Sequence, residues 1–153
     1  MSVIEKIKDH YKVKLKVMRL NRRAVLPTRG SVGSAGLDIY STEDYEIKPH
    51  SCCMVHTYLA MEIPEGYCGL LATRSSMGMM GVRIAAGLNI IDSDYRGELK
   101  VYLWNDGEYP WTICQGDRIA QLVIVPYYFC EVEETDELTK TKRGSGGFGS
   151  TGR

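Results

Sequence analysis

The residues from Arg74 to Gly78 combine groups that suit phosphate binding. The arginine is followed by Ser75 and Ser76, and the glycine comes two residues later. A guanidinium, hydroxyl groups and the free backbone N–H groups at the start of a helix all bind phosphate oxygens. An ordinary capped helix with a surface ion pair would have the same residues. This segment alone therefore leaves both interpretations open.

A second segment, from Asn89 to Gly97, carries two carboxylates. Asp92 and Asp94 are separated by one residue, and Tyr95 follows them. On an extended strand both aspartates would face the same side, where they would hold a metal ion or place a general base beside a nucleotide. Because Asp, Ser and Gly are also common turn residues, a solvated turn is the alternative. We expect the segment to form the tip of a hairpin.

Two shorter segments place polar side chains next to apolar ones. In Ala35–Ser41, the simplest interpretation is a loop that enters a strand, with Asp38 and Ser41 capping turns. Further along, Gln121 lies within an apolar run, where a buried amide requires hydrogen-bond partners. The neighbouring Asp117 and Arg118 are expected to form a local ion pair.

The last eleven residues, 143–153, are rich in glycine. Alone, such a stretch is typical of a flexible linker, an RNA-binding tail or a cloning remnant. It nevertheless contains Arg143, which can pair with phosphate, and Phe148, which can stack on a base. The pair Ser150 and Thr151 adds hydroxyl groups, and glycines such as Gly149 let backbone N–H groups approach a ligand closely.

Composition limits the possible partners. The chain has 153 residues, enough for one ordinary domain, and its 19 basic residues equal its 19 acidic ones. A net charge of zero argues against an extended surface for nucleic acid or anionic membrane. The N-terminus has no apolar stretch, so we expect neither a signal peptide nor a transmembrane span.

The five cysteines predict an intracellular protein. Their number is odd, no Cys-x-x-Cys pair is present, and Cys52 and Cys53 are adjacent. We therefore expect reduced thiols that serve as small buried hydrophobic residues, in the cytoplasm or nucleus. The three histidines lack metal-ligand spacing.

Short alternating or apolar segments predict many β-strands. The predicted strands are Lys12–Val17, Tyr45–Ile47, Met54–Tyr58, Tyr67–Ala72, Leu99–Trp104 and Ile119–Val125. Pro64–Gly66 and Asn105–Gly107 fit hairpin turns. One short helix is expected near Ser75–Met80, capped by Ser75 or Ser76. Such a pattern indicates an all-β sandwich or barrel.

Taken together, the chemical segments resemble the homotrimeric dUTPase family (deoxyuridine 5'-triphosphate nucleotidohydrolase). That family has five ordered motifs, and this chain carries AGLDIYS, RSSMG, NIIDSDYRG, GDRIAQL and RGSGGFGSTG in the same order. The resemblance covers residues 13–152. It departs from the family pattern at Thr73, where Pro is frequent, and at Ser76 and Asn89, where Gly is frequent.

The resemblance implies an architecture and an activity. The fold would be an antiparallel jelly-roll-like β barrel of the β-clip type, forming a homotrimer with three shared active sites. Residues 1–12 would be an N-terminal extension, 13–142 the barrel domain and 143–153 a flexible lid that orders over the substrate. The reaction would convert dUTP and water to dUMP and pyrophosphate, which keeps uracil out of DNA and supplies dUMP for dTMP synthesis. Mg²⁺ would be held by the triphosphate and waters, without direct protein ligands.

The resemblance also implies the catalytic roles. Asp92 would orient and deprotonate the attacking water, Gln121 would lie near the α-phosphate, and Asp38 would lie near the waters of the metal. Each site would take the third motif from one subunit, the first, second and fourth from another, and the fifth from a third.

The remaining site residues follow from the same resemblance. Tyr95 would lie under the deoxyribose and exclude a ribose 2′-hydroxyl, and Phe148 would close over the base. The uracil edge would be bound at Leu88, Asn89 and Ile91. Phosphates would be bound by Arg74, Ser75, Ser76 and Gly78, and the distal ones by Arg143, Gly149, Ser150 and Thr151.

Two other interpretations stay open at this stage. A dCTP deaminase of the same fold would need a glutamate in the site, for which Glu98 is the only nearby candidate. Its position after Arg96 and Gly97 instead matches the strand that leaves the third motif. A non-catalytic nucleotide-binding regulator is the second alternative, and a viral or phage origin is compatible with all three.

Overall fold

The computed structural model describes residues 13–147, which form short β-strands and one short helix. The strands are β1 Lys16–Arg19, β2 Leu37–Tyr40, β3 Tyr45–Ile47, β4 Ser51–Val55, β5 Leu59–Glu62, β6 Tyr67–Ala72, β7 Val82–Ile84, β8 Leu88–Ile91, β9 Val101–Asn105, β10 Trp111–Ile113 and β11 Arg118–Pro126. The helix, α1, is Ser75–Met79. The all-β class and the single short helix are thus confirmed for this part of the chain.

The strands pair only antiparallel within the described residues. A four-stranded sheet has the order β2-β11-β6-β8, and a three-stranded sheet has the order β4-β9-β7. Two further pairs are β1 with β5 and β3 with β10. Small antiparallel sheets linked by crossing connections form the predicted jelly-roll-like barrel.

Strand β11 is the longest and lies at the centre of the four-stranded sheet. It begins with an irregularity in its pairing to β2, between Arg118 and Ala120. Beyond this β-bulge, the register sets Gln121 opposite both Asp38 on β2 and Ala72 on β6. The first, second and fourth motifs therefore meet because β11 lies between their strands.

The core is made by the inward faces of these sheets. Leu99, Val101 and Leu103 are buried, whereas Lys100 and Tyr102 between them are exposed. This alternation is the one predicted from sequence for a half-buried strand. The fully buried large side chains are Ile39, Ile47, Leu59, Leu71, Ile84, Leu103, Ile113, Ile119, Leu122, Val55, Val82 and Val101.

The predicted hairpins are wrong, although the predicted turns are present. Gly66, with φ of 80°, ends the turn in which the Tyr67 N–H donates to the Pro64 carbonyl. That turn joins β5 to β6, which belong to different sheets, and Asn105–Gly107 leads from β9 to β10 in the same way. The segment after Asn89 likewise joins β8 to β9 across sheets. Local turn chemistry does not reveal whether the flanking strands pair with each other.

Helix α1 starts without the predicted serine cap. Its N-cap is Arg74, whose backbone is extended, and no side chain accepts a hydrogen bond from the first turn. Met77 is the helix residue that is buried. The helix is therefore held by its contact with the core, and its two serines stay exposed.

The burial predicted for the cysteines is also wrong. All five thiols are free, as predicted, but Cys52, Cys114 and Cys130 are exposed, and Cys53 and Cys68 are half-buried. Cys52 and Cys53 lie on β4, Cys68 lies on β6, Cys114 follows β10 directly, and Cys130 lies in the irregular segment after β11. Across residues 13–147, no helix has the length and apolar character needed to cross a bilayer.

Candidate active site

Asp38 joins two guanidinium groups from distant parts of the chain. Its Oδ1 accepts a hydrogen bond from Arg74 Nε at 2.9 Å, and its Oδ2 lies 3.4 Å from Arg118 Nη1. The Asp38 side chain is only 13% exposed, against 50% for Arg118. The predicted local ion pair between Asp117 and Arg118 is therefore wrong. Asp117 Oδ2 instead accepts the Cys114 N–H.

Gln121 is fixed beside this cluster. Its Nε2 donates to the Thr73 carbonyl at 3.0 Å, which supplies the partner expected for an amide in an apolar run. Gly36 approaches from β2 so closely that a Cβ there would lie 2.8 Å from Gln121 Oε1. The glycine of the first motif thus leaves room for the glutamine of the fourth.

The start of α1 extends the cluster toward solvent. Ser75, Ser76 and Gly78 are exposed. Arg74 Nη1 lies 3.5 Å from Ser76 Oγ and 3.4 Å from the Arg118 carbonyl. Hydroxyls, guanidiniums and exposed backbone N–H groups are thus gathered in one place, the set that binds phosphate oxygens.

Thr73 takes the position where proline is frequent in the family. Its Oγ1 accepts the Ile84 N–H at 2.9 Å and so ties the approach to α1 onto β7. Sequence reasoning did not assign a role to Thr73 or identify the partners of Arg118. Neither role has a local signal, because each depends on a contact between distant segments.

A separate groove of about 270 Å³ runs along the third motif. Asp92 and Tyr95 line it together with Asn89 and Ile91. Leu88 lies at the start of the edge strand β8 and is exposed. The remaining lining residues are Met54, Ile90, Glu98, Leu99, Lys100 and Tyr102, of which Met54, Leu99, Lys100 and Tyr102 were not predicted as site residues.

Tyr95 is held at the edge of this groove by a tight turn. Its N–H donates to the Asp92 carbonyl at 3.2 Å, and its hydroxyl donates to the Glu98 carbonyl at 3.0 Å. A Cβ on Gly97 would lie 2.4 Å from the Tyr95 hydroxyl oxygen, so the ring can fold back only because this residue is glycine. Asp92 therefore lies in an exposed turn, which confirms the solvated-turn interpretation of this segment and not the one in which Asp92 and Asp94 share a strand face.

Glu98 has its carboxylate engaged by neighbouring groups. Both carboxylate oxygens lie 3.1 Å from His56 Nδ1, and Oε1 also accepts the Tyr58 N–H at 3.0 Å. The Glu98 side chain is only 14% exposed. These contacts hold the Glu98 carboxylate at the side of the groove.

Tyr102, at the far end of the groove, is paired with a thiol. Cys52 Sγ lies 2.5 Å from the Tyr102 hydroxyl oxygen. This hydrogen bond, more than the charge of the thiolate or the partial burial, raises the pKa of Tyr102 above its ordinary value.

The groove that contains Asp92 and the cluster that contains Arg74 lie at opposite ends of one sheet. Arg74 follows Ala72, which pairs with Leu88 at the start of β8, whereas Asp92 follows Ile91, which pairs with Gly69. Leu88 and Ile91 are three residue steps apart along β8, about 10 Å at 3.3 Å per residue. A single chain therefore does not bring Asp92 to the Asp38, Arg74 and Gln121 cluster.

The glycine-rich tail is only partly described. Arg143 is exposed, and its Nε donates to the Gly146 carbonyl at 2.8 Å. The predicted site residues Phe148, Gly149, Ser150 and Thr151 lie outside the described residues, as does the N-terminal extension 1–12.

The side chains of residues 13–147 form no cluster of three or more metal-ligating groups. Mg²⁺ usually keeps several waters and binds through one or two carboxylates and the phosphates of a substrate. An exposed Asp92 and a phosphate-binding cluster without its own metal cage fit a metal that arrives with a triphosphate.

The sequence and structure match known dUTPases. The sequence profile of the dUTPase family matches residues 22–152. The human mitochondrial deoxyuridine 5'-triphosphate nucleotidohydrolase is 43% identical over 92% of this chain, which spans 56% of the human protein. The mouse protein of the same name is 42% identical over 91% of this chain and 85% of its own length. The vaccinia virus (strain Copenhagen) protein of the same name is 41% identical over 90% of this chain and 92% of its own length.

Solved structures give the same result. A Staphylococcus bacteriophage 80alpha dUTPase point mutant with dUpNHpp superposes with a TM-score of 0.86 at 32% identity, covering 92% of this chain and 99% of that one. A mutant dUTPase from phage phi11 of S. aureus superposes with a TM-score of 0.75 at 30% identity, covering 81% of this chain and 97% of that one. Its structure reveals the coordination of a structural Mg(II) ion in that protein.

The fold is a jelly-roll-like β barrel with a groove lined by Asp92 and a separate cluster in which Asp38 contacts Arg74 and Arg118. These features place the chain in the class of nucleotide-binding β barrels. The family profile and the relatives specify which one: the chain belongs to the dUTPase family.

Proposed function

We propose that the chain is a dUTP diphosphatase that hydrolyses dUTP to dUMP and pyrophosphate. The observation that carries the proposal is the pairing of Asp92 and Tyr95 in one groove, with the Asp38, Arg74 and Gln121 cluster held separately for phosphate. The family membership and the relatives named for this activity support the same reaction.

The reaction requires a water to attack the α-phosphorus. A bond forms from the water oxygen to phosphorus, the bond to the bridging oxygen of the β-phosphate breaks, and pyrophosphate leaves in line. Asp92 accepts the proton of the water, a role for which its exposed position in the turn after β8 suits it. Because the tight turn joins Asp92 to Tyr95, the base would lie at a fixed distance from the sugar that packs on Tyr95.

The charge that develops on phosphate oxygens is the main obstacle. Arg74 and Arg118 are oriented by the Asp38 carboxylate, so their remaining N–H groups are positioned before the substrate binds. Ser75, Ser76 and the second N–H of the Gln121 amide complete the donors, whereas the Gly78 N–H, also predicted as a donor, already donates to the Arg74 carbonyl at 3.0 Å. Preorganised donors of this kind stabilise a transition state by more than donors that must first reorient.

Mg²⁺ would be held by the triphosphate and by waters, with Asp92 and Asp38 as the nearby carboxylates of the chain. When bound, the ion neutralises charge on the phosphate oxygens and orients the triphosphate. Asp38 contributes by holding Arg74 and Arg118, because both of its oxygens already contact these side chains.

Selection of the substrate is assigned to the groove. The backbone of Leu88, Asn89 and Ile91 would bind the uracil edge, and a cytosine would leave buried donors and acceptors unpaired. Tyr95 would pack under the deoxyribose, where a 2′-hydroxyl meets the ring. Arg143, Phe148, Gly149, Ser150 and Thr151 are proposed to close over the base and the distal phosphates.

We also propose that the active site is completed by other copies of the chain in a homotrimer. Asp92 and Arg74 lie at opposite ends of one sheet in a single chain. The segment after β11 also carries large apolar side chains in the open: Tyr128 is 94% exposed, Phe129 89% and Val132 98%. Apolar surface of this kind indicates an interface. The five free thiols support a reducing, intracellular compartment.

The Asp92→Asn variant tests the assignment of the base. Asparagine keeps the size of the side chain but cannot take a proton, so pyrophosphate release from dUTP should fall by at least about 10²-fold. Binding of dUTP, measured by calorimetry, should stay near the wild-type value. Asp94→Asn is the matched control, since Asp94 is an equally exposed aspartate two residues away. Unchanged turnover in Asp92→Asn would remove Asp92 from the mechanism.

A further inference from the structure

The carboxylate of Glu98 is a buried ionisable group that the proposed chemistry does not use. It lines the groove of Asp92 and Tyr95, yet its side chain is only 14% exposed. His56 Nδ1 and the Tyr58 N–H both contact it, at 3.1 and 3.0 Å. A largely buried carboxylate with hydrogen bonds to two other residues fixes those residues relative to one another.

Glu98 is also the residue that anchors the sugar platform. The Tyr95 hydroxyl donates to the Glu98 carbonyl, and the Tyr95 ring closes back over Gly97. The orientation of the ring thus depends on where the Glu98 backbone lies. The same residue binds Tyr95 through its main chain and the segment before β5 through its side chain.

We propose that the Glu98 carboxylate, clamped by His56 and Tyr58, is a positioning element that sets the orientation of Tyr95 and thereby the preference for deoxyribose over ribose. The proposal rests on the proposed function in one respect, the placement of the sugar over Tyr95. Glu98 does not touch the reacting atoms and acts through the tyrosine alone.

The clamp itself is built from two unusual features. Tyr58 has a φ of 50°, a backbone conformation that non-glycine residues seldom adopt, and its N–H is directed at Glu98 Oε1. The His56 and Tyr58 rings stack with centroids 5.4 Å apart and an interplanar angle of 21°. The unusual backbone of Tyr58 thus serves to direct its N–H at Glu98. Backbone strain used in this way is typical of a functional constraint.

The backbone that follows Glu98 is held by hydrogen bonds of its own. The Leu99 N–H donates to the Leu59 carbonyl at 2.7 Å, and the Thr57 hydroxyl donates to the Leu99 carbonyl. Leu99 therefore holds the outgoing strand whether or not the carboxylate is present. The Leu99 N–H belongs to the same peptide as the Glu98 carbonyl, so the Leu59 carbonyl holds this peptide from one side, and the clamped carboxylate fixes the Glu98 Cα that precedes it.

The test compares binding of dUpNHpp and of its ribose counterpart UpNHpp by calorimetry, in the full chain with Mg²⁺. For Glu98→Ala, dUpNHpp should bind about tenfold more weakly, and the preference for the deoxy form should narrow by a similar factor, the scale of a lost hydrogen bond. Glu98→Gln, which keeps an acceptor for Tyr58 and an amide for His56, should restore most of the preference. His56→Ala should give part of the Glu98→Ala effect.

A double-mutant cycle separates positioning from a general loss of stability. Tyr95→Phe removes the hydroxyl that contacts Glu98, so adding Glu98→Ala to Tyr95→Phe should change the preference by less than about twofold beyond Tyr95→Phe alone. Glu46→Ala and His50→Ala are matched controls, because these residues are exposed and lie outside the groove. Both controls should bind like the wild type.

One kind of result would contradict the positioning role of Glu98, and another would contradict the proposed function. If Glu98→Ala folds by circular dichroism and keeps the wild-type preference, or if its effect is undiminished in the Tyr95→Phe background, the positioning role is wrong while the proposed function stands. If the wild-type chain fails to bind dUpNHpp, the proposed function itself is wrong. Should Glu98→Ala not fold, the same comparison between His56→Ala and His56→Gln decides the matter, because His56 is partly exposed.

Discussion

Asp38 has its role set by residues far from it in sequence. It contacts Arg74, 36 residues later, and Arg118, 80 residues later. The sequence motifs identify these residues as part of one site, but they led to a pairing of Arg118 with its neighbour Asp117 that the structure does not contain. Local spacing reveals which residue types are present. It does not reveal which of several carboxylates a guanidinium reaches.

The residue-scale consequence is tested by Asp38→Asn. The change leaves the half-buried Arg74 without its countercharge, so the free energy of unfolding should fall by about 1–3 kcal/mol. Because the arginines lose their orientation, kcat/KM for dUTP should fall by roughly 100-fold. Denaturant unfolding and steady-state kinetics measure the two effects.

Asp106→Asn is the control for this prediction. Asp106 also accepts a hydrogen bond from an arginine, Arg83, but the pair is exposed and lies outside the candidate site. Its loss should leave both kcat/KM and the unfolding free energy almost unchanged. Equal losses in the two variants would show that Asp38 has no special role.

At the scale of elements, periodicity predicted the strands better than their pairing. Tyr45–Ile47 and Tyr67–Ala72 match β3 and β6 to the residue, and the run at Ile119 to Val125 lies within β11. The turn sequences at Pro64 and Asn105 were recognised, but both connect different sheets. Alternation records which face of a strand is buried. It contains no information on which strand lies beside it.

Gly69 on β6 is packed tightly against side chains from three other segments. A Cβ there would lie 2.9 Å from Leu122 Cδ1, 3.0 Å from Ile63 Cδ1 and 3.2 Å from Ile91 Cβ. Gly69→Ala should therefore reduce the free energy of unfolding by about 1–3 kcal/mol through overpacking. Urea unfolding gives the value.

Gly33→Ala provides the comparison, since no atom lies within 4 Å of a Cβ at that position. Its unfolding free energy should stay within about 0.5 kcal/mol of the wild type. Similar effects at both glycines would contradict the packing argument and indicate that the unfolded chain, which both substitutions affect alike, is responsible.

At the scale of the whole molecule, the proposed site residues of one chain do not all meet within residues 13–147. The groove of Asp92 and the cluster of Arg74 occupy opposite ends of the four-stranded sheet. The apolar side chains of the segment after β11 also lack a covering surface among residues 13–147. Both features are explained if neighbouring copies contribute to each site.

The mass in solution tests this assembly. A homotrimer of the 17.2 kDa chain should be about three times that mass by light scattering. Diluting the protein until it dissociates should abolish turnover, because each copy then lacks the other half of the site. Full activity in a species of monomer mass would show that one chain suffices.

The central claim is that this chain hydrolyses dUTP selectively. The most direct measurement is the release of pyrophosphate from dUTP, UTP, dTTP and dCTP, each with and without Mg²⁺, while ammonia is monitored in the dCTP reaction. We expect rapid, Mg²⁺-dependent release from dUTP and only slow release from the other three nucleotides, because the uracil edge and the Tyr95 platform reject them. Ammonia from dCTP, or comparable rates for all four nucleotides, would contradict the account.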